Sequence, residues 1–153
     1  MEKDIKNIED KLSFANYIKN LFNLPDTDIK SYSPLTLAYI GDSVYDLVIK
    51  TTITWKGNAP VNKLHKKVTS IVKATAQAEH YHMIENMLTE EEMAVYKRGR
   101  NAKSFTSAKN AGVVEYRTAT GLEALIGYMY LTGKTERIME IMKPVIEQAV
   151  SIS

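Results

Sequence analysis

The chain contains no cysteine among its 153 residues. That removes disulfides, thiolate zinc sites, iron–sulfur clusters and a thiol nucleophile from consideration, and it points to a reducing compartment. Proline and glycine are scarce, at 4 and 7 residues. Collagenous and low-complexity architectures are thereby excluded, and few positions force a helix to stop. No apolar run approaches the roughly 18 residues of a membrane span, and Met1–Asp10 is too charged for a secretory signal. The expectation is a cytoplasmic protein, not membrane-bound, folded as a single domain over 1–153.

What the sequence does contain is helical periodicity throughout, with no sustained alternation that would argue for a sheet. An all-α bundle is expected. A first helix fits Ile8 to Phe22 and stops before Pro25. Ser33-Pro34 reads as cap and first position of a strongly apolar helix running to Trp55. One long helical pattern then extends from Pro60 to about Met87 with a basic exposed face. Thr89-Glu90-Glu91-Glu92 has capping-box spacing and opens a short helix ending near Gly99. A loop over 101–112 follows, then two helices near Val113–Leu131 and Thr135–Val150, separated by Gly133.

The 20 basic and 18 acidic side chains nearly cancel, but they are unevenly placed. Residues 1–49 carry 5 basic and 8 acidic groups, residues 50–110 carry 11 and 5, and residues 111–153 carry 4 and 5. The middle third is the cationic part, suited either to a polyanion or simply to water.

Two acids interrupt apolar stretches. Asp42 lies in Leu35–Ile49, on one helical row with Ala38 and Asp46, beside Gly41, where another backbone can approach. Glu123 lies among Leu122, Leu125 and Ile126, flanked by Gly121, Ala124 and Gly127, which permit a tight helix crossing. An ionised carboxylate withdrawn from water costs several kcal/mol unless compensated. Each acid therefore faces solvent or pairs with Lys or Arg, or the two together hold a hard divalent cation such as Mg²⁺, which accepts one or two carboxylates and keeps its waters.

The string Ala38-Tyr-Ile-Gly-Asp-Ser-Val-Tyr45, followed about 80 residues later by Leu122-Glu-Ala-Leu-Ile-Gly127, resembles the two signature segments of the ribonuclease III catalytic domain. Leu64-His-Lys-Lys67, Ala76-Gln-Ala-Glu79 and Tyr96-Lys-Arg-Gly-Arg-Asn-Ala-Lys-Ser104 bring the chain nearer to the short Mini-ribonuclease III branch. The resemblance runs from about 33 to 146. Only 20 residues follow Gly133, so no separate double-stranded-RNA-binding domain is expected.

That resemblance implies an all-helical, homodimeric endonuclease that binds Mg²⁺ and cuts both strands of double-stranded RNA. Its implied target is the stem joining the ends of a 23S ribosomal RNA precursor, with a large-subunit ribosomal protein assisting. Of the family's four acids, two carry over as catalytic and metal-binding residues, Asp42 and Glu123. The other two positions hold Ala38 and Thr120, a departure expected of the Mini branch and consistent with one metal per site. Asp46 is expected to be a surface acid, and none of His65, His80 and His82 to be catalytic.

Phosphates of an A-form duplex would be met by His65, Lys66, Lys67 and Lys73 along one helix, and by Lys97, Arg98, Arg100, Asn101 and Lys103 in a basic loop begun by Gly99. Large apolar side chains at Tyr39, Val44, Tyr45, Leu47, Tyr128, Met129 and Tyr130 are expected to form the two-fold interface. Two rivals remain. One is a non-catalytic RNA-binding or ribosome-assembly module; the other is a helical nucleotide pyrophosphohydrolase, for which Glu90, Glu91 and Glu92 look more like a helix cap than metal ligands.

Overall fold

The computed structural model describes residues 13–103 and 112–153, and among these all regular structure is helical. Seven helices follow in order: α1 Phe14–Leu21, α2 Pro34–Lys56, α3 Val61–Val72, α4 Ala74–Ile84, α5 Glu90–Arg100, α6 Val113–Leu131 and α7 Thr135–Ser151. Short 3₁₀ turns occupy Ile29–Ser31 and Glu85–Met87. No helix among the described residues is long and apolar enough to cross a membrane.

Local chemistry sets the starts. The Ser33 hydroxyl accepts from Leu35 N–H, with Pro34 at the first helical position of α2. Thr89 and Glu92 satisfy each other's backbone N–H groups at the start of α5, a complete capping box. Gly133, at φ 75°, turns the chain between α6 and α7 in a conformation that other residues rarely adopt.

The centre of the molecule is the crossing of α2 and α6. Leu37, Tyr45 and Ile49 from the first meet Leu122, Leu125, Ile126 and Met129 from the second, and Ile84, Ile141 and Met142 close the core from α4 and α7. The crossing is close because side chains are missing where the helices touch. A Cβ on Gly41 would run into the carbonyl oxygen of Glu123 and stand 2.8 Å from the Gly127 nitrogen, and one on Gly127 would run into the carbonyl oxygen of Leu37. A second such crossing joins α5 to α6, where a Cβ on Gly99 would lie 2.7 Å from that of Ala124.

Several expectations need correction. The pattern from Pro60 to Met87 is two helices and a 3₁₀ turn, because Lys73 is extended at φ −63°, ψ 155°. The break lets α4 pack on α6 while α3 packs on α2, and the Gln77 side-chain amide donates to the freed Val72 carbonyl at 2.8 Å. α5 ends at Arg100, near Gly99 as expected, but Lys97, Arg98 and Arg100 belong to the helix and not to a loop begun by Gly99, which is a contact point inside α5. α1 is described only over Phe14–Leu21, so the portion expected over positions 8–12 falls outside the described residues, as do positions 104–111 of the expected loop.

The apolar residues assigned to a two-fold interface divide. Tyr39 and Leu47 are exposed, at 78% and 56%, whereas Val44, Tyr45, Tyr128 and Met129 are buried in this chain's own core and Tyr130 is half-buried.

Candidate active site

The α2–α6 crossing brings together the two acids singled out in the sequence. Gly41 abuts the Glu123 backbone, and Asp42 next to it lies near enough to act on the Glu123 carboxyl. Their environments differ: Asp42 is exposed at the rim, and Glu123 is half-buried beneath it. Only one carboxylate therefore lies in apolar surroundings, not two. α2 keeps an exposed edge at Asp42, which helical spacing alone could not distinguish from its buried face.

Burial, a hydrogen bond shared with Asp42, and the like charge of Asp42 together push the Glu123 carboxyl up to about 9. Among the described residues no lysine or arginine forms an ion pair with either acid. Nor does a third His, Cys, Asp or Glu join them in a metal-holding cluster. The two remaining family positions are spent on packing. Ala38 is buried, and the Thr120 hydroxyl donates to the Tyr116 carbonyl at 3.0 Å. Asp46 pairs with Lys50 at 2.8 Å, one turn along α2.

Behind Glu123 runs a buried polar chain that sequence reasoning missed. The Tyr45 hydroxyl donates to His80 Nδ1 at 2.8 Å, and His80 Nε2 donates to the Ile141 carbonyl at 2.9 Å. A carbonyl only accepts, so Nε2 carries a proton; burial disfavours a second one, and in the neutral ring Nδ1 is the acceptor for the Tyr45 hydroxyl. Burial holds the His80 pKa below its usual value, and burial with the nearby charge of Glu123 raises that of Tyr45. No signal in the sequence pairs positions 45 and 80; the apolar setting of Tyr45 pointed instead to an interface.

The basic residues form two groups. On α3, His65 and Lys66 are exposed, while Lys67 is half-buried and lines a 270 Å³ hollow with Lys63, Asn58 and Lys56. Lys73 is exposed but belongs to the break after α3, so it does not continue the Lys66 row. At the end of α5, Lys97, Asn101 and Lys103 are exposed. Arg100 lies over the ring of Tyr96 at 5.9 Å, which in turn stacks on Tyr81 at 3.9 Å. Arg98, though exposed, directs its guanidinium at two backbone carbonyls. Of the other histidines, His82 faces Glu85 at 3.6 Å on the surface.

The Ribonuclease III domain family matches residues 35–134. The Mini-ribonuclease 3 of Clostridium tetani is 55% identical over 120 residues, covering 78% of this chain and 80% of the relative. That of a Thermoanaerobacter species is 48% identical over 139 residues, covering 89% and 98%. A crystal structure of a Fusobacterium nucleatum protein superposes with a TM-score of 0.72 at 38% identity, covering 80% of this chain and 98% of that one. A fold and a sequence shared along most of their length place the chain in the ribonuclease III family, in its Mini-ribonuclease 3 branch, as an endoribonuclease.

Proposed function

We propose that the protein is a Mg²⁺-dependent endonuclease acting on double-stranded RNA as a homodimer, with the stem of a 23S ribosomal RNA precursor as its substrate and a large-subunit ribosomal protein as an assisting partner. The observation that carries this reading is the pairing of Asp42 with Glu123, with no compensating lysine or arginine among the described residues. Two neighbouring carboxyl groups, the buried one pushed up to about 9, form a donor set that a hard cation would relieve. When bound, such an ion supplies charge neutralisation at the phosphoryl oxygens and an activated water.

The chain's own groups do the rest. Asp42, at the rim, is the acid that approaching RNA meets first, and Glu123 anchors the site from within the crossing. His65, Lys66 and Lys67 on α3, with Lys97, Arg100, Asn101 and Lys103 at the end of α5, offer cationic and polar contacts to phosphates without reading bases. Lys73 contributes from the α3–α4 break. Tyr39 and Leu47, the exposed members of the expected interface, would meet a second copy. The intact acid pair favours a nuclease over a non-catalytic RNA-binding module, despite Ala38 and Thr120.

The test is cleavage of a perfect RNA duplex in Mg²⁺ by the unaltered protein and by Asp42→Asn and Glu123→Gln. Cleavage is expected in the first only, with all three folded. Mg²⁺-dependent cutting that persists in both variants would remove the proposal, and sedimentation as a monomer at micromolar concentration would remove its dimeric part.

A further inference from the structure

Arg98 holds the protein rather than facing outward with both ends of its fork. Its Nη1 donates to the Lys30 carbonyl at 2.9 Å and its Nη2 to the Tyr32 carbonyl at 3.1 Å. A planar guanidinium reaches two carbonyls at once, which an ammonium cannot do in the same geometry. Tyr32 immediately precedes Ser33, the cap of α2, and Asp42 lies about two turns into that helix. Gly99, next to Arg98, is where α5 touches Gly121 and Ala124 on the turn of α6 that carries Glu123.

A second tie reinforces the first. Glu91 lies seven residues before Arg98, two turns away on the same face of α5. Its Oε1 takes the Lys30 ammonium at 3.0 Å and the Tyr128 hydroxyl at 2.6 Å. The segment leading into α2 is thus fastened to α5 at two points, and one of them includes α6.

We infer that Arg98 is a positioning residue, fixing the entry of the Asp42 helix against the helix that bears Glu123, and not a phosphate contact. The basic end of α5 then divides its labour: Lys97 and Arg100 face the RNA, while Arg98 sets the separation of the acids. This rests on the nuclease reading above, and its test is separable from it.

Steady-state cleavage of duplex RNA and salt-dependent binding are compared for the unaltered protein, Arg98→Lys, Arg98→Ala and Lys97→Ala. Binding is measured in an Asp42→Asn background. Arg98→Lys keeps the charge and loses the fork; its kcat is expected to fall about tenfold, as sub-ångström misplacement of catalytic groups does, with KM and salt slope unchanged. Lys97→Ala is expected to do the reverse, raising KM and lowering the slope of log affinity against log salt by about one. A normal kcat for Arg98→Lys, or a loss of about one in salt slope for Arg98→Ala, overturns the inference. If Arg98→Ala does not fold, the lysine variant decides alone. Absence of cleavage by the unaltered protein would instead strike the nuclease reading.

Discussion

Replacing Gly41 by alanine tests the close approach of α2 to α6. In an ordinary helix interior the change would stabilise by about 1 kcal/mol, because glycine is the poorer helix former. Here the new methyl group meets backbone on the opposite helix: the Glu123 carbonyl oxygen lies inside its radius, and the Gly127 nitrogen stands at 2.8 Å, where ordinary contact begins at 3.4 Å. Neither atom can rotate away, so α2 and α6 must separate by more than half an ångström. A gap of that size forfeits a quarter to a half of the dispersion energy of the atoms lining it. Leu37, Leu122, Leu125 and Ile126, all fully buried near this crossing, would lose contact together.

Overpacking against backbone outweighs the propensity gain, and a net loss of about 2–4 kcal/mol is expected. For a chain of this length that corresponds to a fall in Tm of roughly 5–15 °C. Thermal and urea unfolding followed by circular dichroism measure it. Gly127→Ala should behave alike, since its methyl would strike Leu37 on the same seam. The double variant should lose clearly less than the sum, because the helices need part only once. Cleavage should fall more steeply than stability, as separating the helices also separates Asp42 from Glu123. A Tm unchanged or raised in Gly41→Ala would refute the reasoning.

Three further outcomes are expected. Glu123 has a folded pKa of about 9, above the unfolded value near 4.5, so between those limits the folded state holds a proton that the unfolded state has released. Without divalent cation, stability should therefore decline as pH rises from about 4.5 to 9, and Glu123→Gln should flatten that slope in thermal melts. His80 behaves oppositely: its folded pKa lies below 6.5, the unfolded chain takes the proton first, and stability should fall as pH drops below about 6.5. His80→Leu should remove that dependence yet cost about 1–3 kcal/mol in urea titrations by stranding the Tyr45 hydroxyl, and adding Tyr45→Phe should recover most of the loss. Mg²⁺ should raise the Tm of the unaltered protein and not that of Asp42→Asn; an equal rise in both would place the ion elsewhere.

Much of the fold was legible because it rests on local chemistry. Ser33-Pro34, the Thr89 box and Gly133 mark boundaries through hydrogen bonds within four residues, and the structure keeps them there. The break at Lys73 was not legible. No proline or glycine stands there, and the helix yields because α3 and α4 have different neighbours, a demand set by residues far away in sequence. The same distinction holds at the site. Asp42 and Glu123 stand out as acids in apolar runs, and the glycines beside them announce a crossing. That Asp42 is exposed while Glu123 is not depends on which side of each helix the other covers. Tyr45, His80, Arg98 and Lys30 make contacts spanning 35 to 68 residues, and no periodicity in one element reports on such partners.

The glycine seam and the reduced acid set bear on each other. At a crossing this tight, positions one turn before each acid face the partner helix or its own turn: Ala38 is buried, and Thr120 turns its hydroxyl back onto Tyr116. A glutamate at 38 would have to lodge a charge in that buried position, beside a Glu123 whose own carboxyl burial and the neighbouring Asp42 already push up to about 9. Position 38 is thus closed to a third acid by this packing, whereas position 120 is not, and the remaining shell of any ion is left to water and phosphate. Ala38→Glu should accordingly lower Tm without strengthening Mg²⁺ binding, whereas Thr120→Asp, at a half-buried position with only one local hydrogen bond to lose, should fold and bind the ion more tightly. Calorimetric titration of both variants checks the difference, and tighter binding by Ala38→Glu would show that the crossing has room for a third carboxylate.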